Sequence, residues 1–150
     1  MDEFVLKSFC LGVGEIDCKY CTSETDNEVK TEQEYHVKVT RIVHNDLRNL
    51  FEDDLRNIVS TIMNLDEDTF GQMQADSISF AGKDENIGIV IKGVIHTKYG
   101  DIKYKTPRIK YLVWDAPVCA DITVFVEKVI EEIKAFLFDG KTSEMQIFGV

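Results

Sequence analysis

Two groups of residues in this chain have the types and spacing to do chemistry. The first is sulfur. Cys18 and Cys21 form a C-x2-C pair, and Cys10 lies eight residues upstream. Thiolates at that spacing can grip a tetrahedral Zn²⁺ from a single turn. Gly12 and Gly14 would let the chain fold back, and His36, His44 or Cys119 could complete the set. A structural zinc on Cys10, Cys18 and Cys21 is therefore one expectation. The competing reading is three ordinary thiols in a strand and a loop, because a second C-x2-C pair is missing. A redox role does not fit, since no helix follows the pair to lower a thiol pKa. Cys119, in "APVCAD", reads as a buried structural thiol, because free cysteine is among the most buried residue types and Asp121 would oppose its thiolate.

The second group is basic. The chain has 150 residues and a formal net charge of -10. Lys92, Lys98, Lys103, Lys105, Arg108 and Lys110 stand against one acid, Asp101, so residues 92–110 carry +5 and the remainder carries -15. Such a cluster can sit on phosphates, while Tyr99, Tyr104 or Tyr111 stack on unpaired bases. The plain alternative is a solvated strand face that pairs with the surplus acids and discourages edge-to-edge aggregation. An isoelectric point near 4.7 argues against charge-driven nucleic-acid binding over the whole surface and leaves room for a local site.

The elements that must position these groups follow from periodicity. Residues 3–11 and 33–43 alternate as strands, with a long loop or small hairpin expected between them at 12–32. Asn45 or Asp46 caps a helix whose apolar stripe runs through Leu47, Leu50, Phe51, Leu55, Ile58, Val59 and Ile62 and ends near Asn64. A short strand is expected at 76–80. Residues 87–98 and 102–112 form a hairpin across Gly100-Asp101, which would set Tyr99 opposite Ile102, Lys98 opposite Lys103, and His96 opposite Lys105. Simple alternation puts Lys92, Lys98, Lys103 and Lys105 on one face and Arg108 and Lys110 on the other. Pro107 marks an edge strand or a bulge. A second helix is expected from Asp121 to about Asp139, stopped by Gly140. The order β-β-α-β-β-β-α predicts one domain over residues 1–150: an α+β two-layer sandwich, two amphipathic helices on one antiparallel sheet.

Several function classes are excluded or unsupported. There is no Walker A loop, no G-x-G-x-x-G, no H-E-x-x-H and no G-x-S-x-G, so no catalytic residue is nominated. The adjacent acids Asp53-Asp54 and Glu131-Glu132 diverge by about 100° on their helices. No apolar run approaches the roughly 20 residues of a membrane span. "MDEFVLKSFC" opens with acids and lacks a positive n-region, so the cytoplasm is the expected compartment.

The tail "EMQIF", residues 144–148, resembles the short terminal peptide by which bacterial and phage replication proteins dock on the sliding clamp. Glu144 stands where that peptide has glutamine, and Ile147 where it has leucine. Met145, Ile147 and Phe148 are thus candidate partner contacts, or else a plug on the core. With "GVIHTKYGDIKYKTPRIKY" and "GKTSEMQIF", the chain over residues 87–148 resembles small uncharacterised tailed-bacteriophage proteins encoded among early replication and recombination genes. The resemblance implies a viral or prophage origin and a host-cell cytoplasm. The expectation is a non-enzymatic accessory protein that binds single-stranded nucleic acid, or a host or phage nucleic-acid-processing protein, through the basic hairpin. The alternatives are an acidic, DNA-mimicking inhibitor of a host defence protein, or a virion or assembly component.

Overall fold

The computed structural model describes residues 3–12, 15–40, 43–64, 72–112 and 116–141. Within them, β1 (Glu3–Leu11), β2 (Ile16–Asp26), β3 (Val29–Val39), β4 (Met73–Ala81), β5 (Gly88–Thr97), β6 (Gly100–Lys105) and β7 (Ile109–Lys110) form one antiparallel sheet. The spatial order is β3-β2-β1-β4-β5-β6, and β7 returns to pair with β5 beyond the end of β6. A first helical stretch comprises α1 (Asn45–Asn49), a π-helical turn (Leu50–Leu55) and α2 (Arg56–Met63). The second is α3 (Pro117–Phe138). This is the expected α+β two-layer sandwich, with seven strands rather than five: the expected arm 102–112 is divided into β6 and β7, and β2 is an additional strand.

That additional strand comes from residues 12–32. Ile16, Cys18 and Tyr20 are buried in turn along β2, and β2 pairs with β3 from Ile16↔Val39 to Asp26↔Val29. The connecting Asn27-Glu28 has φ of 49° and 67° at its two residues, as a two-residue type I′ hairpin turn requires. Other boundaries differ from expectation. β3 covers Val29–Val39 rather than 33–43, and His44, not Asn45 or Asp46, caps α1, its Nδ1 accepting from the Asp46 N–H at 3.1 Å. The β4 strand starts at Met73, ahead of the expected 76, and α3 starts at Pro117 rather than Asp121. Proline suits that first turn, where its missing N–H has no partner to lose. The first helical stretch ends as expected, with Asn64 as a left-handed cap at φ 53°.

Phe51 joins the layers. Its ring lies 5.6 Å from Phe9 on β1 and 6.2 Å from Phe125 on α3, and all three side chains are buried. A second aromatic group, Phe4, Tyr20, Tyr35 and Phe138, closes the β1–β2–β3 end against the last turn of α3. The helices meet the inward residues of the strands, so the opposite face of the sheet carries the polar ones. Along one row across that open face lie Lys38, Asp17, Cys10, Ser77, Lys92 and Lys105.

Just past α3, Lys141 ties the two helical stretches together. Its Nζ lies 2.8 Å from Asp46 Oδ2 and 2.9 Å from Glu132 Oε2. The hydrogen bond from Lys141 holds the Asp46 carboxyl below its usual range, and the same bond raises the Lys141 ammonium. The Asp46 contribution is therefore present above about pH 4 and disappears as pH falls through its lowered folded pKa. The Lys141 contribution is complete below about pH 10 and disappears as pH rises through its raised folded pKa. Asp46 is largely exposed, which limits the gain. Lys141→Met should cost about 0.5–1 kcal/mol at neutral pH by urea unfolding, and the difference from wild type should shrink at both pH extremes.

Candidate nucleic-acid interface

The β5–β6 hairpin closes on a different pair of residues from those expected. Thr97 faces Gly100, so Lys98-Tyr99 is the turn. The Thr97 hydroxyl accepts from the Tyr99 N–H at 3.2 Å and donates to the Gly100 carbonyl at 2.6 Å. Gly100 takes φ 131°, a conformation open to glycine, so it serves just after the turn rather than inside it. The pairs become Ile95↔Ile102, His96↔Asp101, Val94↔Lys103 and Lys92↔Lys105. The expected Tyr99–Ile102, Lys98–Lys103 and His96–Lys105 pairs are not formed. Because the turn moves by an even number of residues, each side chain keeps its face.

The second correction concerns Arg108 and Lys110. Thr106 still stands opposite Ile91: its N–H donates to the Ile91 carbonyl at 2.9 Å, and its hydroxyl accepts from the Ile91 N–H at 2.9 Å. Pairing resumes with Ile109 opposite Ile89 and Lys110 opposite Gly88. Pro107 and Arg108 together thus oppose Val90, a two-against-one bulge that re-aims the strand. Its effect is to turn Arg108 and Lys110 onto the open face, with the Arg108 stem lying over Gly88. Lys92, Lys103, Lys105, Arg108 and Lys110 therefore share one face, with Lys98 at the tip. They extend over about 20 Å, six residues of β5 at ~3.3 Å each. None of the six forms an ion pair with another described residue, whereas Lys30, Lys38 and Lys141 do.

Of the three candidate stacking tyrosines, one is free. Tyr99 is 89% exposed, with Lys98 Nζ 5.0 Å from its ring centre. Tyr111 is buried. Tyr104 lies across Gly93, and its hydroxyl donates to the Gln74 carbonyl at 2.9 Å. A Cβ on Gly93 would fall 1.9 Å from that carbonyl oxygen and 2.5 Å from the tyrosine hydroxyl, so the contact requires glycine. Burial, then the Asp76 charge, pushes the Tyr104 hydroxyl well above its usual pKa. Tyr104 is thus a structural bolt across β4, β5 and β6 and cannot offer its ring to a base.

The three cysteines do not converge. Residues 18 and 21 of one strand point to opposite faces. Cys18 is buried beneath the helices between Phe9 and Val37, while Cys21 shares the open face with Cys10. Cys10 lies opposite Asp17, so four residues of β2, about 13 Å, separate it from Cys21. No group of three metal-binding side chains occurs among the described residues. Burial, then Asp17, pushes the Cys18 thiol up to about 12, and burial, then Asp76, raises that of Cys10. Both effects oppose the thiolate that a metal or a nucleophilic reaction needs. The spacing read as a metal grip is thus strand alternation. Met145, Ile147 and Phe148 lie outside the described residues.

One cluster was missed in the sequence. His96 Nδ1 lies 2.8 Å from Asp101 Oδ1, and its Nε2 lies 3.2 Å from Gln74 Oε1. A histidine–carboxylate pair can serve a base, but here Gln74 occupies the second nitrogen. The cluster fixes the turn end of the hairpin to β4. Only the strand register brings residues 74, 96 and 101 together, and nothing in their spacing announces it.

Comparison with protein-family models, curated proteins and solved structures finds no match to this chain. The basic face therefore has to be judged on its own geometry, and Thr106 is the residue that decides it. Thr106→Val should leave the buried Ile91 N–H without an acceptor, costing about 1–3 kcal/mol. Thr106→Ser keeps the acceptor and should cost much less. Chemical denaturation of the two variants measures the difference.

Proposed function

We propose that this protein is a non-enzymatic accessory protein that binds the backbone of single-stranded nucleic acid along the β5–β6–β7 face. The observation that carries this reading is the row of Lys92, Lys103, Lys105, Arg108 and Lys110 on the sheet face opposite the described helices, without ion-pair partners among the described residues. Like charges directly opposite, as at Lys92↔Lys105, are destabilising in isolation. An anionic strand laid along them would turn that repulsion into binding. Tyr99 at the tip supplies one exposed ring for stacking, so contacts to phosphate would dominate and sequence preference would be low.

In this reading the chain is an early-region protein of a tailed phage, at work in the host cytoplasm on replication or recombination intermediates. No described helix is long and apolar enough to cross a membrane. A second reading is favoured by the β2–β3 hairpin, where seven acids between Glu15 and Glu34 outweigh Lys19, Lys30 and Lys38. An acidic inhibitor could present that hairpin to a basic cleft of a host defence protein.

Fluorescence anisotropy with a labelled single-stranded oligonucleotide separates the two readings. Binding at low salt should weaken as salt rises. The triple variant Lys92→Ala, Lys103→Ala, Lys105→Ala should reduce the slope of log K against log salt by roughly 2, at ~0.7 per phosphate contact for single strands. Binding should be similar for unrelated base sequences. An absence of binding at low salt, or an unchanged slope in the triple variant, rejects the nucleic-acid reading and leaves the inhibitor.

A further inference from the structure

Among the described residues β3 and β6 each have a neighbour on one side only. The outer strand β3 is eleven residues long and exposed over most of its length, an unusually long open edge. The hairpins at the two ends also differ in sign. The span 15–40 holds seven acids and three lysines, whereas the span 92–110 holds six bases and one acid. A sheet with opposite charge at opposite edges is complementary to a second copy of itself.

Backbone geometry agrees. Six strands in strictly antiparallel order make β3 and β6 run in opposite directions, so β6 of one copy beside β3 of the next continues the antiparallel pattern, with all helices on the same side. In β3 the pair next to the turn is Asp26↔Val29, so odd-numbered residues bond to β2 and the even-numbered ones point their N–H and C=O groups outward. In β6 the pair next to the turn is Thr97↔Gly100, so Asp101, Lys103 and Lys105 are the residues with outward groups. The outward residues of both edges have their side chains on the open face.

Side chains then select the register. Placing Glu34 opposite Lys103 also sets Glu32 opposite Lys105 and His36 opposite Asp101. On the helix side, the same register sets Tyr35, 40% exposed, against Ile102, 56% exposed. Sliding by two residues one way puts Glu34 against Asp101 and Lys30 against Lys105. Sliding the other way keeps two opposite-charge pairs, Glu34–Lys105 and Lys38–Asp101, but puts His36 against Lys103 and moves Glu32 beyond the end of β6. In the favoured register Lys30 and Lys38 fall beyond the ends of the six-residue β6. Glu32 already touches Lys30 at 3.3 Å, but that pair is exposed and contributes little.

We propose that copies of this chain associate head to tail by pairing β3 of one with β6 of the next, in the register Glu32–Lys105, Glu34–Lys103. The contact is heterologous, so repetition builds a ring or an open filament rather than a closed dimer. It rests on the strand edges and does not depend on nucleic-acid binding.

Sedimentation velocity of the full chain, without nucleic acid, tests it. The average mass of wild type should rise with concentration past that of a dimer at low salt, and fall back as salt screens the pairs. Glu32→Lys with Glu34→Lys should be monomeric under the same conditions, as should Lys103→Glu with Lys105→Glu. All four side chains are exposed, and circular dichroism checks that the sheet persists. An equimolar mixture of the two double variants restores opposite charges at every junction and should assemble again. A wild type that stays monomeric at its highest soluble concentration overturns the proposal. So do double variants that assemble as wild type does, or a mixture that remains monomeric. Oligonucleotide binding by a strictly monomeric wild type would leave the functional reading standing and remove this one.

Discussion

Both helical stretches lie on the same side of the sheet, so each strand residue belongs either to the core or to the open face. That division constrains everything else. Phe9, Ile16, Ile78, Ile89 and Ile91 are fully buried because Phe51, Phe125 and their helical neighbours cover them. The residues between them must tolerate water, and the charges gather there. A single step out of phase in any strand would exchange the two sets. The chain takes such steps at three bulges: in β1 between Leu6 and Ser8, in β4 between Ala75 and Ser77, and after Thr106.

The last of these matters most for the surface. Without it, continued alternation would turn Arg108 and Lys110 toward the helices, where unpaired charge is very costly. With it, Ile109 goes inward and both bases join the lysines of β5 and β6. Thr106 makes this possible because its hydroxyl stands in for a backbone acceptor while its N–H keeps the ladder intact. Tyr104 and Gly93 do related work one turn of the pleat away, fastening β6 to β4 across β5. The basic face therefore sits on a rigid part of the sheet.

Much of this was legible in the sequence. The two apolar stripes gave both helical stretches, including the end of the first near Asn64, though not its cap at His44. The alternation of Ile87, Ile89 and Ile91 gave the hairpin and its charged side. Pro107 announced an interruption. The remainder was hidden for identifiable reasons. β2 places cysteines on both of its faces and is closed by Asn-Glu, so neither its period nor its turn stands out. Gly100-Asp101 looks like a turn, yet the glycine is needed one step later. The same period that concealed β2 made Cys18 and Cys21 resemble a metal grip. The faces of Arg108 and Lys110 depended on which residue of the bulge is skipped, which only the pairing with β5 reveals.

The position of β1 in the middle of the sheet also shapes how the protein is made. One side of β1 pairs with β2, nearby in sequence, but its other side waits for β4, with Ser8 meeting Ser79. The 34 positions from the end of β3 at Val39 to the start of β4 at Met73 take about 2–7 s to translate at ~5–20 residues per second. During that interval the nascent β1–β2–β3 meander has an open edge along β1, where Phe9 needs a cover. The first helical stretch, synthesised within the same interval, carries Phe51, which lies against Phe9 in the finished fold. The order of elements along the chain thus delivers the segment that covers Phe9 before the second half of the sheet has been made.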